Sequence, residues 1–586
     1  MAFTANAIGR VRVSGNDANG AFFDPSLTTN MLTDLTTDTN TGNTASPVVS
    51  SASYNFGAGD VGNYVFIASG TNWIPGWYKI TSVASNKATV DASAGAVRVW
   101  TPTTTNPKSP ALTFNTVAGC ASTGTPTSGT FTIDYTQQDA AKLSVTDGTS
   151  TNSTTITSTT GGFTKVMIGN ALRISAGTGA TTGYRFITNQ TDTNTVTVDS
   201  VSGTYTTATV KVGGAAATIA RVGNSANTTG DKIVAGNIVY IRGAGTDTPS
   251  TDDYTTTGFL TPPNGDQTSG YIKFIGENGR PRLKSNGLMW YSATFQWYEN
   301  LYVTASSNSN GTLGILNVWA SSTITNVVFD TANQSALAGV DLGSNASRLT
   351  DCEIKSGTTS PTSSSTAHGL VMTSNYGSIV ARNRIHHMRG DGINLGSSYT
   401  ASIRNNLIYA NVGNGITIGT IGSTLTDITF NTIDGNQGDG IVLSAFTSVM
   451  SAYIHGNLIT NHNQSGKYGI NFNTGSARVN DIAVNYVGYN WLYNSGTSHY
   501  NNLTQPATDS IDVDPQYTDR TNGDFSLKRT SPCLNWIQDA WRGQATPVGY
   551  RVPGAVQANA VSPVVVNRNT NIWVFEDELE ALLGGL

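Results

Sequence analysis

Charge is scarce in this chain. Only 12% of its 586 residues are Asp, Glu, Lys or Arg, and the formal net charge is −5. So weak a balance gathers neither nucleic acid nor an anionic membrane surface, and neither is expected as a partner. No uninterrupted apolar run of about 18 residues occurs, so no transmembrane helix is expected. Met1 to Ile8 holds no basic segment followed by an apolar one, so a secretory leader is not expected and synthesis in a cytoplasm is. Cysteine is nearly missing. Cys120, Cys352 and Cys533 are far apart, which argues against a disulfide framework or a metal cluster. Cys352 and Cys533 sit in apolar strand contexts and read as small core residues. No metal and no cofactor are expected.

What the chain has instead is glycine, 63 residues of it, and a loose internal repeat. One half of the repeat reads Asn-x-aliphatic, as at Asn300, Asn326, Asn383, Asn406, Asn431 and Asn457, with Asp351 in the same slot. The other half reads Gly-aliphatic, from Gly314-Ile315 to Gly469-Ile470. A period of some 25 residues marks a solenoid. Short alternating apolar runs bounded by Gly, Asn and Asp make its units strands and turns. Asn, Asp and Gly suit corners that need a left-handed backbone. Stacked Asn side chains also hydrogen-bond along a ladder.

The organisation that follows is all-β. Residues 1–27 read as an N-terminal arm. Residues 28–130 and 131–212 read as two related small β modules. The first carries Val61 to Ile67, Gly76 to Ile80 and Ala88 to Asp91; the second carries Ile168 to Ile174, Gly183 to Ile187 and Val196 to Asp199 in the same order. The solenoid is assigned to 213–557. In the tail, 558–586, Phe575, Leu579, Leu582 and Leu583 have helical spacing among acidic residues, which predicts a short amphipathic helix.

The entry segment Gly230 to Ile241, the Asn-x-Ile units, the closing Asn522-Gly523-Asp524-Phe525 with Ser531-Pro532, and Tyr550 to Gln557 resemble the right-handed parallel β-helix. That is the fold of pectate lyases and of many phage tailspikes. The N-terminal segments Gly15 to Gly20 and Asp134 to Ala141 are similar to phage and prophage β-helix proteins. The resemblance implies a virion protein, made in the host cytoplasm and released by lysis. It would be a spike, tail fibre or decoration protein. Its N-terminal region would join other virion proteins, and its shaft would adhere to host surface polysaccharide. A homotrimer is expected. The resemblance leaves open a tailspike that cleaves polysaccharide as a glycoside hydrolase or lyase, and a bacterial surface adhesin. Against cleavage, no acidic cluster suited to calcium occurs, and the tandem Asp pair of β-helix polygalacturonases is missing from the repeats. Asp252-Asp253 precede them.

Two columns carry candidate chemistry. Three positions after the Asn slot stand Val303, Phe329, Ile354, His386, Tyr409, Asp434 and Thr460, expected to point outward. His386, Tyr409 and Asp434 would then form one exposed strip suited to sugar binding or acid/base work. The second column, before the Gly-aliphatic half, reads Asp391, Asn414, Asp439. Asp391 and Asp439 would lie two repeats apart, roughly 9–10 Å, near the carboxylate spacing of inverting glycosidases. Asp-Gly and Asn-Gly are equally plain turn dipeptides.

Overall fold

The computed structural model of the chain describes residues 6–533, apart from short stretches of which the longest are 102–110, 224–232, 307–313 and 473–485. The expected exit segment Tyr550 to Gln557 and the tail helix lie outside the described residues. Two units are distinguished, 1–513 with 553–555 and the remainder.

In the first unit the repeat folds as a parallel β-helix. Among the described residues, strands of mostly three to six residues stack in register into three sheets of 12, 11 and 9 strands, parallel throughout except for one edge strand of the first. Sheet I climbs from Ile238–Arg242 to Tyr486–Gly488, sheet II from Tyr254–Thr255 to Ser510–Ile511, and sheet III from Trp290–Ala293 to Ser498–Asn501. Alternation turns one aliphatic per short strand inward on sheet II and two on sheet III. Thus Ile354, Ile385, Ile408 and Ile433 align on sheet II, and Leu370, Ile393, Ile416 and Ile441 on sheet III, all with 0% exposure. Each such side chain contributes roughly 1.5–3 kcal/mol by leaving water.

The Asn slot divides into two positions. Asn300, Asn326 and Asp351 are left-handed corners, with φ of 54°, 54° and 57°. On the following turns that corner belongs to Arg382, Asn405 and Phe430, one residue before the Asn of the repeat. Asn383, Asn406, Asn431, Asn457 and Asn490 instead form a buried ladder. Each Oδ1 accepts a backbone N–H from the turn before it at 3.0 Å. Each Nδ2 donates back to a carbonyl, as Asn406 does to Val380 at 2.8 Å. Asp509 ends the ladder by accepting the Asn490 N–H at 3.0 Å. Leu301, Val327 and Cys352 fill this slot earlier in the stack, all buried. One pattern therefore covered two neighbouring positions, because Asn satisfies both a left-handed φ and an amide ladder.

The stretch expected as an arm is part of the solenoid. Strand Ile8–Val11 pairs in parallel with Ile238–Ile241 and so adds a turn to sheet I, with Phe22–Phe23 antiparallel beyond it. Between these segments the chain builds an antiparallel eight-stranded sheet and a closed six-stranded barrel. The two share a local motif. The Ile80 N–H bonds the Asn63 carbonyl and the Gly62 N–H the Ile80 carbonyl; Ile187, Asn170 and Gly169 repeat the pair at 2.9–3.0 Å. Gly62 and Gly169 have matching φ of 85° and 86°, a turn that requires glycine. A charged clamp ties these pieces together. Glu277, on sheet I, takes Arg98 at 2.7 Å and Arg10 at 3.2 Å. Both guanidiniums lie over the Tyr240 ring, at 4.4 and 4.6 Å. Despite burial, the two arginines hold Glu277 down at about 2.

In the second unit, Tyr517–Asp519 pairs antiparallel with Asp524–Leu527 around a turn closed by Gly523 at φ 77°. Tyr517 meets Phe525 edge-on at 5.1 Å.

Candidate functional site

His386, Tyr409 and Asp434 are register partners on three successive strands of sheet II, as expected. Their column continues backward through Lys355, Asp330 and Thr304. Val303, Phe329 and Ile354 belong to the inward column, a correction that follows from the shifted corner. The strip is also not exposed. His386, Tyr409 and Asp434 are only 8%, 6% and 2% accessible, because aromatic and charged neighbours on the same face lie against them.

The cluster is tightly connected. The His386 ring stacks on Tyr409 at 4.9 Å and 13°. Its Nε2 is 3.0 Å from Glu353 Oε1, and its Nδ1 is 2.7 Å from His387 Nδ1. Arg384 Nε donates to the Tyr409 hydroxyl at 2.9 Å. Burial lowers the His386 pKa more than Glu353 raises it, so the imidazole is neutral at pH 7. Its Nε2–H then donates to Glu353, and Nδ1 accepts from His387, itself held at about 4 by burial. The His386 hydrogen bond brings Glu353 down to about 2. A carboxylate that acidic is a poor base, and a neutral imidazole with both nitrogens engaged is a poor acid. The group presents a fixed polar and aromatic surface, with Arg384 and Glu353 at its open edge. Asp434 accepts from Thr460 Oγ1 at 2.6 Å and from Asn461 Nδ2 at 2.7 Å.

Asp391 and Asp439 occupy equivalent places on alternate turns, with Asn414 between. Asp391 Oδ1 accepts the Asn414 N–H at 2.7 Å, and Asn414 Oδ1 accepts the Asp439 N–H at 2.8 Å. Asp439 Oδ1 in turn accepts the Tyr468 N–H at 2.7 Å. The second oxygens take Asn394 at 3.0 Å and Asn471 at 2.7 Å. Every carboxylate oxygen of the pair is thus bonded within the stack. His368 Nδ1 accepts the Asp391 N–H at 3.0 Å, so its 3.4 Å approach to Oδ2 is no ion pair. This geometry joins turn to turn.

Two further groups escaped the sequence reading. At the last turns, Ser495 Oγ lies 3.1 Å from His499 Nδ1, whose Nε2 is 2.8 Å from Asp512. That order suits a nucleophile, but the Gly496 and Thr497 N–H groups are already bonded to carbonyls of His462 and Lys467. The two amides just past the serine are therefore not free to hold an oxyanion. On sheet III, Asp341 is buried, its Oδ2 accepts Asn317 Nδ2 at 2.8 Å, and burial raises its pKa. Trp319 stands beside them. No repeat flags a lone Trp between unlike turns, which is why this group went unread.

Residues 306–487 match the family described as a right handed beta helix region. The solenoid is a right-handed parallel β-helix. Among solved structures this β-helix chain is similar to the pectate lyase Pel9A at 15% identity, over 56% of this chain and 89% of that one, with a TM-score of 0.38. The periplasmic alginate epimerase AlgG is similar at 13% identity over 47% and 76%, TM-score 0.27. The catalytic unit of a GH87 alpha-1,3-glucanase from Streptomyces thermodiastaticus strain HF3-3 is similar at 12% over 65% and 87%, TM-score 0.28. At such identities the likeness is one of fold alone. A search of curated proteins finds no match.

Proposed function

We propose that this β-helix is the shaft of a bacteriophage virion protein that adheres to host surface glycan. The observation that carries the adhesive part is the sheet II cluster of Glu353, Arg384, His386 and Tyr409. Its rings and charges are locked in place by one another, and Glu353 is held at about 2 by the His386 hydrogen bond, which suits recognition better than proton transfer. The virion part rests on the N-terminal resemblance. In this reading the N-terminal sheet and barrel attach the protein to the particle, and three copies assemble there.

The test is direct. Purified particles are probed for the chain, and the full chain is incubated with capsular and lipopolysaccharide preparations from candidate hosts. Retention on a polysaccharide without release of reducing ends supports adhesion. Release of reducing ends or of unsaturated sugars would establish a depolymerase instead. Absence from particles refutes the virion assignment.

A further inference from the structure

The residue after each inward pair on sheet III forms a column of its own. Val318, Leu342, Met372 and Leu395 are register partners, so Trp319, Gly343, Thr373 and Gly396 follow one another up the stack. The ladder bonds continue there, with Gly343 N–H to Val318 O and Gly396 N–H to Met372 O, both 2.9 Å. Neither glycine is demanded by the backbone, since neither has a left-handed φ. Neither is demanded by packing. Among the described residues, a Cβ on Gly343 would meet nothing nearer than Val318 O at 3.7 Å and Trp319 Cδ1 at 3.8 Å; on Gly396, nothing nearer than Thr373 Cγ2 at 3.6 Å. At these two positions side chains are missing where they would fit. The column is a shallow lane in which Gly343 and Gly396 present backbone and Thr373 one short side chain, three steps long, or about 14 Å at the stacking distance.

Trp319 heads this lane and is 50% exposed. An exposed apolar side chain alone is ordinary. This one is held. Its Nε1 donates to Asn317 Oδ1 at 3.1 Å, and Asn317 Nδ2 donates to Asp341 Oδ2 at 2.8 Å, which fixes the amide and through it the indole. Asn317 and Asp341 are buried, and Asp341 Oδ1 has no hydrogen-bond partner among the described residues. The lane's flank is the next outward column, Asn317, Asp341, Val371 and Asn394, mostly polar.

We propose that this lane is a glycan subsite, with Trp319 as the stacking platform for a pyranose ring and the chain of sugars lying over Gly343, Thr373 and Gly396. A sugar ring offers a face of C–H groups edged by hydroxyls. It matches an indole fixed beside amides and a carboxyl, and fixing the ring beforehand lowers the ordering cost of binding. The proposal rests on the adhesive reading above but on different residues and a different sheet.

The experiment is affinity electrophoresis of the full chain in gels cast with purified capsular or O-antigen polysaccharides, run with Trp319→Ala, Trp319→Phe, Gly343→Val and Gly396→Leu. On a polysaccharide that retards the wild type, Trp319→Ala is expected to weaken binding at least ten-fold, and Trp319→Phe to stay within about three-fold. Gly343→Val and Gly396→Leu fill the lane, and are expected to weaken binding with unchanged melting. If the wild type is retarded and these variants bind equally well, the subsite is overturned while the adhesive reading stands. If no polysaccharide retards the wild type, both fail. Sedimentation velocity adds one outcome. Self-association lost in Trp319→Ala would overturn the subsite in favour of a contact between copies.

Discussion

Asn405 and Asn406 are adjacent and identical in type, yet they do different work, and one substitution at each separates the two. Asn405 has φ 56° at a corner. Glycine accepts that conformation at no steric cost, so Asn405→Gly should change stability by no more than about 1 kcal/mol in either direction. Asn406 is fully buried. Its Oδ1 accepts the Asn383 N–H and Nδ2, each at 3.0 Å, and its Nδ2 reaches Val380 O at 2.8 Å and Asn431 Oδ1 at 3.0 Å. Asn406→Gly leaves the Asn383 N–H and one Asn383 amide hydrogen without partners in a dry interior and takes the side-chain bond from the Val380 carbonyl. At roughly 1–3 kcal/mol for each orphaned group, the expected loss is about 2–6 kcal/mol. Unfolding of a long repeat array need not be two-state. The assay is therefore hydrogen exchange of amides in strands Tyr376–Ala381 and Thr400–Arg404, beside the melting curve. Protection should fall there in Asn406→Gly and hold in Asn405→Gly. Equal effects, or a larger one at Asn405, would refute the assignment of the ladder.

Ile408→Asp or Ile433→Asp, at fully buried positions, should each cost about 4 kcal/mol or more, since an unpaired charge replaces a packed side chain; denaturant titration checks this. Asp391→Asn and Asp439→Asn should cost about 1–3 kcal/mol by the same titration: an amide oxygen still accepts the neighbouring N–H, but the new NH2 faces the Asn394 or Asn471 amide where an acceptor stood. Glu277→Gln should cost about 3–5 kcal/mol by leaving Arg10 and Arg98 facing one another, read as faster proteolysis within residues 8–23. Burial lowers the His455 pKa to about 4 and lowers that of His462. The folded state thus binds fewer protons than the unfolded chain, whose histidines titrate near 6.5. The stability these residues carry is whole above pH 6.5 and is lost as pH falls toward 4. His455→Gln should flatten that acid limb in a melting series. Asp509, raised to about 6 by burial, acts oppositely. Its contribution is whole below pH 3.8 and is lost as pH rises through 6.

The solenoid was legible because its signal is periodic. An aliphatic, a corner and an amide recur at a near-constant interval, and each has a physical reason. Where one residue type serves two adjacent roles, as at Asn405 and Asn406, the pattern could not say which residue took which, and the outward column slipped by one for Val303, Phe329 and Ile354. Exposure was not legible either. His386 lies on an outer face, but the side chains that cover it come from neighbouring strands. Trp319 and Gly343 occur once each in their setting. Their meaning comes from three-dimensional adjacency, which a repeat search does not register.

The pairing of Ile8–Val11 with Ile238–Ile241 also sets an order of events during synthesis. Ile8 must wait for residue 238, a gap of 230 positions. At the usual 5–20 residues per second, that is roughly 10 to 50 s of translation. Throughout this interval Val11 and Phe22, fully buried in the finished protein, have no solenoid edge to join. A nascent chain in this state carries a loose apolar strand, and a neighbouring chain on the same message that has already passed residue 242 offers a vacant edge of matching register. Strand exchange between nascent copies is therefore an available route to linked chains. Its frequency should rise with the density of ribosomes on the message rather than with the concentration of finished protein.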